Sequence, residues 1–326
     1  MPHVLLVLGD GPLTPFALTW AREAGLDALL LAPGHSPHRR LAHEFHPLDL
    51  GESAAALALA RRYAREGRLA SVLAAQRRAL PLLAELAEVA PGVLSPRHAH
   101  QELTRLPRAR LAPLGITTAA ENPHEPAFEV LGSLRAGSYA RALMVERSGE
   151  AQATFLPAAL TGAEALVLEQ RTAAAATALG LVEGPVQATW QRVGLDFALV
   201  ELVPAWLAAD AATHAARHAL GKSPLQAWFA HLAGAGGPFD EMPTRPRAAI
   251  GFTSLAGRLP AELGDLGPVR RLAGVLEIVR EAAPGAPRHP ARLTLLVEGR
   301  DRPELESRLR RARAALEERI ACKRIA

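Results

Sequence analysis

The stretch TALGLVEGPVQATWQRVGLDFALVELVPAW, from Thr177 to Trp206, decides how this chain is read. It opens on the end of an apolar-periodic helix running from Leu166 to Leu179, and Gly184-Pro185 then marks a turn into a strand. Two facing strands follow, rich in β-branched and aromatic residues. One isolated carboxylate, Glu201, stands on the second of them. Glu183 and Asp196 fall in the adjoining turns, where acids are ordinarily solvated.

Upstream, Val4 to Leu8 is a continuous apolar run closed by Gly9-Asp10-Gly11, and a helical pattern through Phe16, Leu18, Trp20 and Ala21 reaches Gly25. Leu26 to Ala32 is a second apolar run and Leu69 to Ala74 a third strand, with an Ala/Leu helix from Ala54 to Ala64 between them. Strands alternating with helices at this spacing predict a parallel sheet with crossover helices, hence a small Rossmann-like domain over 1–95. Pro12-Leu13-Thr14 after the two glycines break the dinucleotide pattern Gly-x-Gly-x-x-Gly, so those glycines are expected to shape a turn. A helix starting there still offers free backbone N–H groups to a small anion, which makes Gly9, Asp10 and Gly11 a candidate binding site.

A further helix is predicted over Ala99 to Leu114, with Pro107 marking a kink or a late start. Residues 117–127, TTAAENPHEPA, are eleven residues with two prolines and read as a loop. FEVLGSLRAGSYARALMVERSGEAQATFLPA then reads as strands joined at Gly137 and at Ser148-Gly149, and Ala211 to Leu220 as a helix ending at Gly221. GAGGP at 234–238 is a flexible spot. In the last helix Leu305, Leu309, Ala312, Leu316 and Ile320 share one face.

The strand pair resembles the catalytic core of the ATP-grasp superfamily, closest to its biotin carboxylase-like and carboxylate–amine ligase-like members. That family places an acid on the first strand after Gly-Pro and Glu-x-Asn-Pro-Arg on the second. Here the matching residues are Thr189, then Glu201, Val203, Pro204 and Ala205. LTRLPRARLAPLGITT at 103–118 resembles the passage by which the family leaves its first domain, with Arg105 where the family has lysine, and the C-terminal strands and final helix are also similar. The resemblance implies a nucleotide-clamping upper lobe after Ile116, and the eleven-residue loop leaves no room for one. It also implies a magnesium-binding role for Glu201, with Thr189, Val203 and Ala205 unable to supply the partner acid, the asparagine and the phosphate-clamping arginine.

With 37 Lys+Arg against 33 Asp+Glu the net charge is only +4, so bulk charge does not argue for nucleic acid. The chain has two lysines, Lys222 and Lys323, which leaves arginine as its working cation and no lysine before residue 222 to contact phosphates. In the final helix acids interleave with the arginines, and two tyrosines leave little for base stacking. Cys322 is the one cysteine, so no internal disulfide forms, and the first apolar run is too short for a membrane segment. A cytoplasmic setting is expected. His35, His38, His43 and His46 crowd GHSPHRRLAHEFHPLDL, but Arg39 and Arg40 between them oppose a metal cation, and a solvated helix is expected there.

The expectation is therefore an α/β chain. A Rossmann-like parallel-sheet domain over 1–95 is followed by a connecting helix and loop over 96–127 and a reduced ATP-grasp-like α+β domain over 128–326. The leading reading of function is a non-catalytic ligand-binding or protein-interaction module, needing no cofactor. Homodimerisation through Trp206, Leu207, Trp228 and Phe229, left uncovered by the absent lobe, belongs to that reading. The alternative is an active ATP-dependent ligase using ATP and magnesium, which requires a further acid and two arginines in a cleft near Glu201; a weaker alternative is arginine-mediated nucleic-acid binding.

Overall fold

In a computed structural model of the chain, the described residues are 3–325 apart from 12, 104–105, 123, 149–152, 207–208, 238, 240–241, 243–245, 257–264 and 284–285. Arg105, Leu207 and Pro238, and the side chains of Cys322, Lys323 and Arg324, lie outside the description.

The elements run β1 (Val4–Leu8), α1 (Thr14–Glu23), β2 (Asp27–Ala32), β3 (Glu44–Pro47), α2 (Ser53–Arg65), β4 (Leu69–Ala74), α3 (Leu80–Leu86), α4 (Arg97–Leu103) and α5 (Arg108–Leu111). Then come β5 (Thr117–Thr118), β6 (Ala127–Arg135), β7 (Ser138–Ser148), β8 (Ala153–Leu156), α6 (Gly162–Ala178), β9 (Gly184–Val193) and β10 (Asp196–Val203). The chain closes with α7 (Ala209–Leu220), α8 (Pro224–Leu232), β11 (Ala249–Ala256), α9 (Gly267–Arg270), β12 (Val275–Ala283), β13 (Ala286–Gly299) and α10 (Arg302–Ile325).

The first four strands form a parallel sheet in the order β3-β2-β1-β4, and α1 and α2 pack on its strands. Leu5 and Val7 enter one apolar cluster, while Val4, Leu6 and Leu8 enter another on the opposite face. Burial on both faces is why β1 reads as an uninterrupted apolar run. The His-rich segment ends in β3 at the edge of this sheet, not in the solvated helix expected there. Phe45 pairs with Leu30, and His46 with Leu31, so sheet hydrogen bonding overrides the segment's polar composition. His38, His43 and His46 are each paired with a carboxylate, of Asp10, Asp27 and Glu44 respectively.

The predicted helix over 99–114 is broken into α4, α5 and a short 3-10 turn over 112–114. Pro107 precedes the first residue of α5, and Leu106 adopts φ +39°. Proline removes the donor that a continuous helix would require, so the chain restarts there.

The second sheet is mixed and larger, in the order β12-β13-β11-β8-β7-β6-β9-β10-β5, with only β5 and β10 parallel among its described pairs. Helix α6 begins at a capping box in which Thr161 Oγ1 accepts from Glu164 N–H and the Glu164 carboxylate accepts from Thr161 N–H. It buries Leu168, Thr172, Ala175 and Ala176 against β6, β7 and β9. On α10 the five predicted apolar positions are all buried, and Arg302 reaches back to Glu146.

One continuous cluster joins the sheets, running from β1, α1 and β2 through Trp206, α7 and α8 to β11 and β13. Trp206, Trp228 and Phe229 lie inside it, at 0%, 2% and 0% exposure, so they are not the uncovered interface anchors expected of them. The Trp206 indole N–H donates to Gly132 O and Val186 O, which pins the chain leaving β10 under the sheet.

Candidate functional site

The site grows from the alternation of β9. Val186, Ala188 and Trp190 face α6 and are fully buried, and the Trp190 indole donates to Thr172 Oγ1 at 3.0 Å. Gln187, Thr189 and Gln191 therefore share the other face. On β10 a simple alternation would send Leu199 and Glu201 to the same side. The register shifts between them, leaving Val200 as an extra residue. That bulge turns Glu201 onto the polar face opposite Thr189, while Leu199 and Leu202 stay in the core.

Thr189 is in turn the cross-strand partner of Glu129 on β6. Glu129, Thr189 and Glu201 thus form one row across three strands, with Glu129 at 5% exposure. Glu129 was not singled out in the sequence. Its signal is a lone acid in the run AFEVLGSL, at a position whose neighbours on both sides are buried. Thr189 is so flanked by carboxylates on both neighbouring strands.

Arginines from two other places face this row. Arg77, in the turn after β4, binds Glu201 through both guanidinium ends, the longer contact being Nη2 to Oε2 at 2.9 Å. Arg147 on β7 pairs with Glu129 at 3.7 Å and with Glu121 at 2.6 Å. The Arg77 guanidinium is held above its ordinary pKa chiefly by the hydrogen bond to Glu201. Arg77, Arg147, Glu121, Glu129, Gln187, Thr189 and Glu201 line a cleft of about 730 Å³.

The loop between β5 and β6 closes one side of it. Gln191 donates to Asn122 O at 2.6 Å and accepts from Asn122 N–H at 2.8 Å, a two-point clasp that ties the loop to β9. No strand or helix lies between Thr118 and Ala127 among the described residues.

The Gly9-Asp10-Gly11 turn sits at the end of β1 against the turn after β4. A Cβ on Gly9, which has φ +89°, would come within 2.4 Å of the Gln76 side chain, and one on Gly11 within 2.2 Å of Ala75 O. Glycine is required at both by this approach. The Gly11 N–H donates to Thr14 Oγ1, and Asp10 faces His38 at 3.4 Å. Burial lowers the His38 pKa and Asp10 opposes that shift. The structure thereby brings this turn against Gln76, the residue before Arg77, and so to the same side as Glu201.

The turn acids have structural work. Glu183 accepts from Ala136 N–H, and Asp196 pairs with Arg171, which together with the Phe197 amide holds its pKa below the usual carboxylate range. Val203 ends β10 and Pro204 follows it, neither offering a ligand atom from its side chain, and Ala205 is buried. Among the described residues no group of three or more His, Cys, Asp or Glu is placed to hold a metal ion, and no helix is long and apolar enough to cross a membrane.

No protein-family model matches this sequence, and no curated protein matches it either. Solved structures do. An L-amino acid ligase from Bacillus licheniformis superposes with a TM-score of 0.74 over 96% of this chain and 97% of its own, at 15% identity. An N5-carboxyaminoimidazole ribonucleotide synthetase from Thermotoga maritima gives 0.72 over 95% and 97%, at 13% identity. The biotin carboxylase domain of a single-chain bacterial carboxylase gives 0.62 over 92% and 85%, at 14% identity. The chain has the ATP-grasp fold.

Proposed function

We propose that this ATP-grasp fold serves an ATP-dependent ligase with a pared-down nucleotide site, acting on a carboxylate and an amine or similar nucleophile. The observation that carries the reading is the Glu129–Thr189–Glu201 row faced by Arg77 and Arg147 in one cleft. A further acid and two arginines beside Glu201 are what such a site requires. In the reaction an acid oxygen attacks the γ-phosphorus of ATP, ADP leaves, and the nucleophile then displaces phosphate from the acyl phosphate with loss of a proton. Charge gathers on the transferred phosphoryl group, and Arg77 and Arg147 are the cations at hand to offset it. Thr189 and Gln187 add hydrogen-bond donors on the same face.

Among the described residues no group of three or more His, Cys, Asp or Glu is placed to hold a metal ion without a substrate. Magnesium is commonly held by one or two carboxylates together with substrate phosphates, and Glu201 and Glu129 fit that requirement. Held there, it would supply positive charge to offset that of the phosphates. For Glu201 to take part, Arg77 must exchange its carboxylate partner for phosphate, an exchange between like charge-assisted contacts.

A second reading, a ligand-binding or protein-interaction module without catalysis, is favoured by one observation: both carboxylates of the row are already engaged by arginines. Solution dimerisation, checked by light scattering, belongs to this second reading.

Calorimetric titration with ATP and magnesium, repeated on Glu201→Ala and Glu129→Gln, separates the two. Saturable binding weakened about tenfold or more by each substitution supports the ligase, since a charged contact contributes about 1.5–3 kcal/mol. Absence of binding at millimolar nucleotide overturns it and leaves the module.

A further inference from the structure

Beside the cleft just described lies a larger one of about 1300 Å³, between α3, α4, α5 and the β5–β10 edge. The two share Arg77, Val200 and Glu201 as a common wall. The larger cleft differs in chemistry: Leu80, Pro81, Leu106, Val200, Val203 and Pro204 give it a broad apolar lining. An apolar ligand body has a surface to cover there.

Its rim carries arginines of two kinds. Arg77 is engaged by Glu201 and Arg97 by Glu88, at 2.6 Å for the latter. Arg108 instead donates through Nε to Thr118 Oγ1, a neutral acceptor, at 3.1 Å, and has no carboxylate partner among the described residues. Thr118 pairs with Leu199 on β10, two residues before Glu201, so Arg108 is anchored beside the shared wall. The backbone delivers it there because Pro107 restarts the helix at Arg108.

The wall also contains His100, 7% exposed. Its Nε2 lies 3.0 Å from Ser95 O, which can only accept, so Nε2 carries the proton and Nδ1 is a bare acceptor. That Nδ1 has no hydrogen-bond partner.

We infer that the larger cleft binds a carboxylic acid with an extended apolar body, its carboxylate directed to Arg108 at the wall shared with Glu201. The inference rests on the ligase reading in one respect: this acid is the one whose carboxylate the neighbouring cleft activates. The body lies along Leu80, Pro81, Leu106 and Val203, and the carboxylate meets a guanidinium fork suited to it in geometry. Small polar acids lack the apolar contact, and apolar alcohols lack the charge.

The test is calorimetry on the full chain with octanoate, acetate and octanol, on the wild type, on Arg108→Gln, and on Arg310→Gln as an exposed control on α10. Octanoate is expected to bind, acetate and octanol to bind more weakly, and Arg108→Gln to lose about ten- to hundredfold in octanoate affinity with no change in the unfolding midpoint. Arg310→Gln should leave it unaltered. Equal affinity for octanoate and octanol, or no effect of Arg108→Gln, overturns the inference. Pro81→Glu, an exposed position at the start of α3, places a repelling carboxylate in the lining, and undiminished octanoate binding there also overturns it. Titration of ATP with magnesium on the same samples keeps the readings apart. Nucleotide binding without octanoate binding sinks the acid cleft alone, and octanoate binding without nucleotide supports the cleft while removing the ligase.

Discussion

The two sheets of this molecule solve the same problem differently. In the parallel sheet, Leu5 and Leu6 are neighbours in sequence, point to opposite faces, and are both fully buried in separate apolar clusters. In the larger sheet, Thr189 and Trp190 are also neighbours on opposite faces, but only Trp190 belongs to an apolar cluster. Thr189 faces the charged cleft. A sheet covered on both sides is a scaffold, and one with a polar face turned to a cleft can hold charged groups at fixed spacing. The difference explains why the candidate chemistry collects on β6, β7, β9 and β10, with the parallel sheet contributing turns at its strand ends, among them the one after β4 that carries Arg77.

The sharpest way to break this comparison is truncation of those paired neighbours. Leu5→Ala and Leu6→Ala should each cost about 2–5 kcal/mol, whereas Trp190→Ala should cost about 3–5 kcal/mol and Thr189→Ala only about 1 kcal/mol. Urea unfolding followed by tryptophan-independent circular dichroism measures all four. Similar losses for Thr189 and Trp190 would remove the asymmetry on which the site rests.

A pH titration sharpens the seam where the two regions meet. Burial lowers the His100 pKa to about 4, with the Ser95 carbonyl opposing the shift. Between the ordinary value of about 6.5 and that depressed value the unfolded chain binds the proton and the folded chain does not, so stability falls as pH falls through this window. The loss attributable to His100 approaches about 3 kcal/mol by pH 4. Stability measured from pH 7 to pH 4 should decline less steeply in His100→Phe than in the wild type; an identical slope would mean that the imidazole is solvated and the seam looser than described.

The smallest effect concerns the helix that covers the apolar face of the larger sheet. The Thr161 amide and hydroxyl, together with Arg192, hold the Glu164 pKa down to about 2. Thr161→Ala removes the hydroxyl half of this cap and should destabilise by about 1 kcal/mol. The thermal midpoint reports it. A null result would indicate that α6 is held by Leu168 and its neighbours alone.

Much of this was legible in sequence, and the exceptions have physical causes. Strands β1, β2 and β4 of the first sheet stood out because double-sided burial leaves them almost wholly apolar. The helix ending near Leu179 and the strand pair after Gly184-Pro185 stood out because glycine and proline punctuate them. Glu201 stood out because it is alone. Glu129 did not, since its meaning comes from lying across β9 from Thr189, a pairing between residues 60 positions apart in the chain. The tryptophans after β10 were legible as anchors but not as to what they anchor: apolar surface is the same in sequence whether a partner chain or the first sheet covers it. The histidine segment reads as polar and helical by composition, and becomes a strand because the edge of β2 offers unpaired backbone groups to it.

By itself, then, the sequence determined the alternation of strands and helices, the parallel character of the first sheet, the resemblance to the ATP-grasp core and the short connection from Thr117 to Ala127, because each is written in local periodicity, turn residues or loop length. The tertiary structure alone decided which groups meet: the bulge at Val200 that turns Glu201 outward, the alignment of Glu129 with it, the reach of Arg77 across from the other sheet, and the second cleft ending at Arg108. These depend on register and on packing between distant segments, where a shift of one residue exchanges core for cleft, and no local pattern specifies that choice.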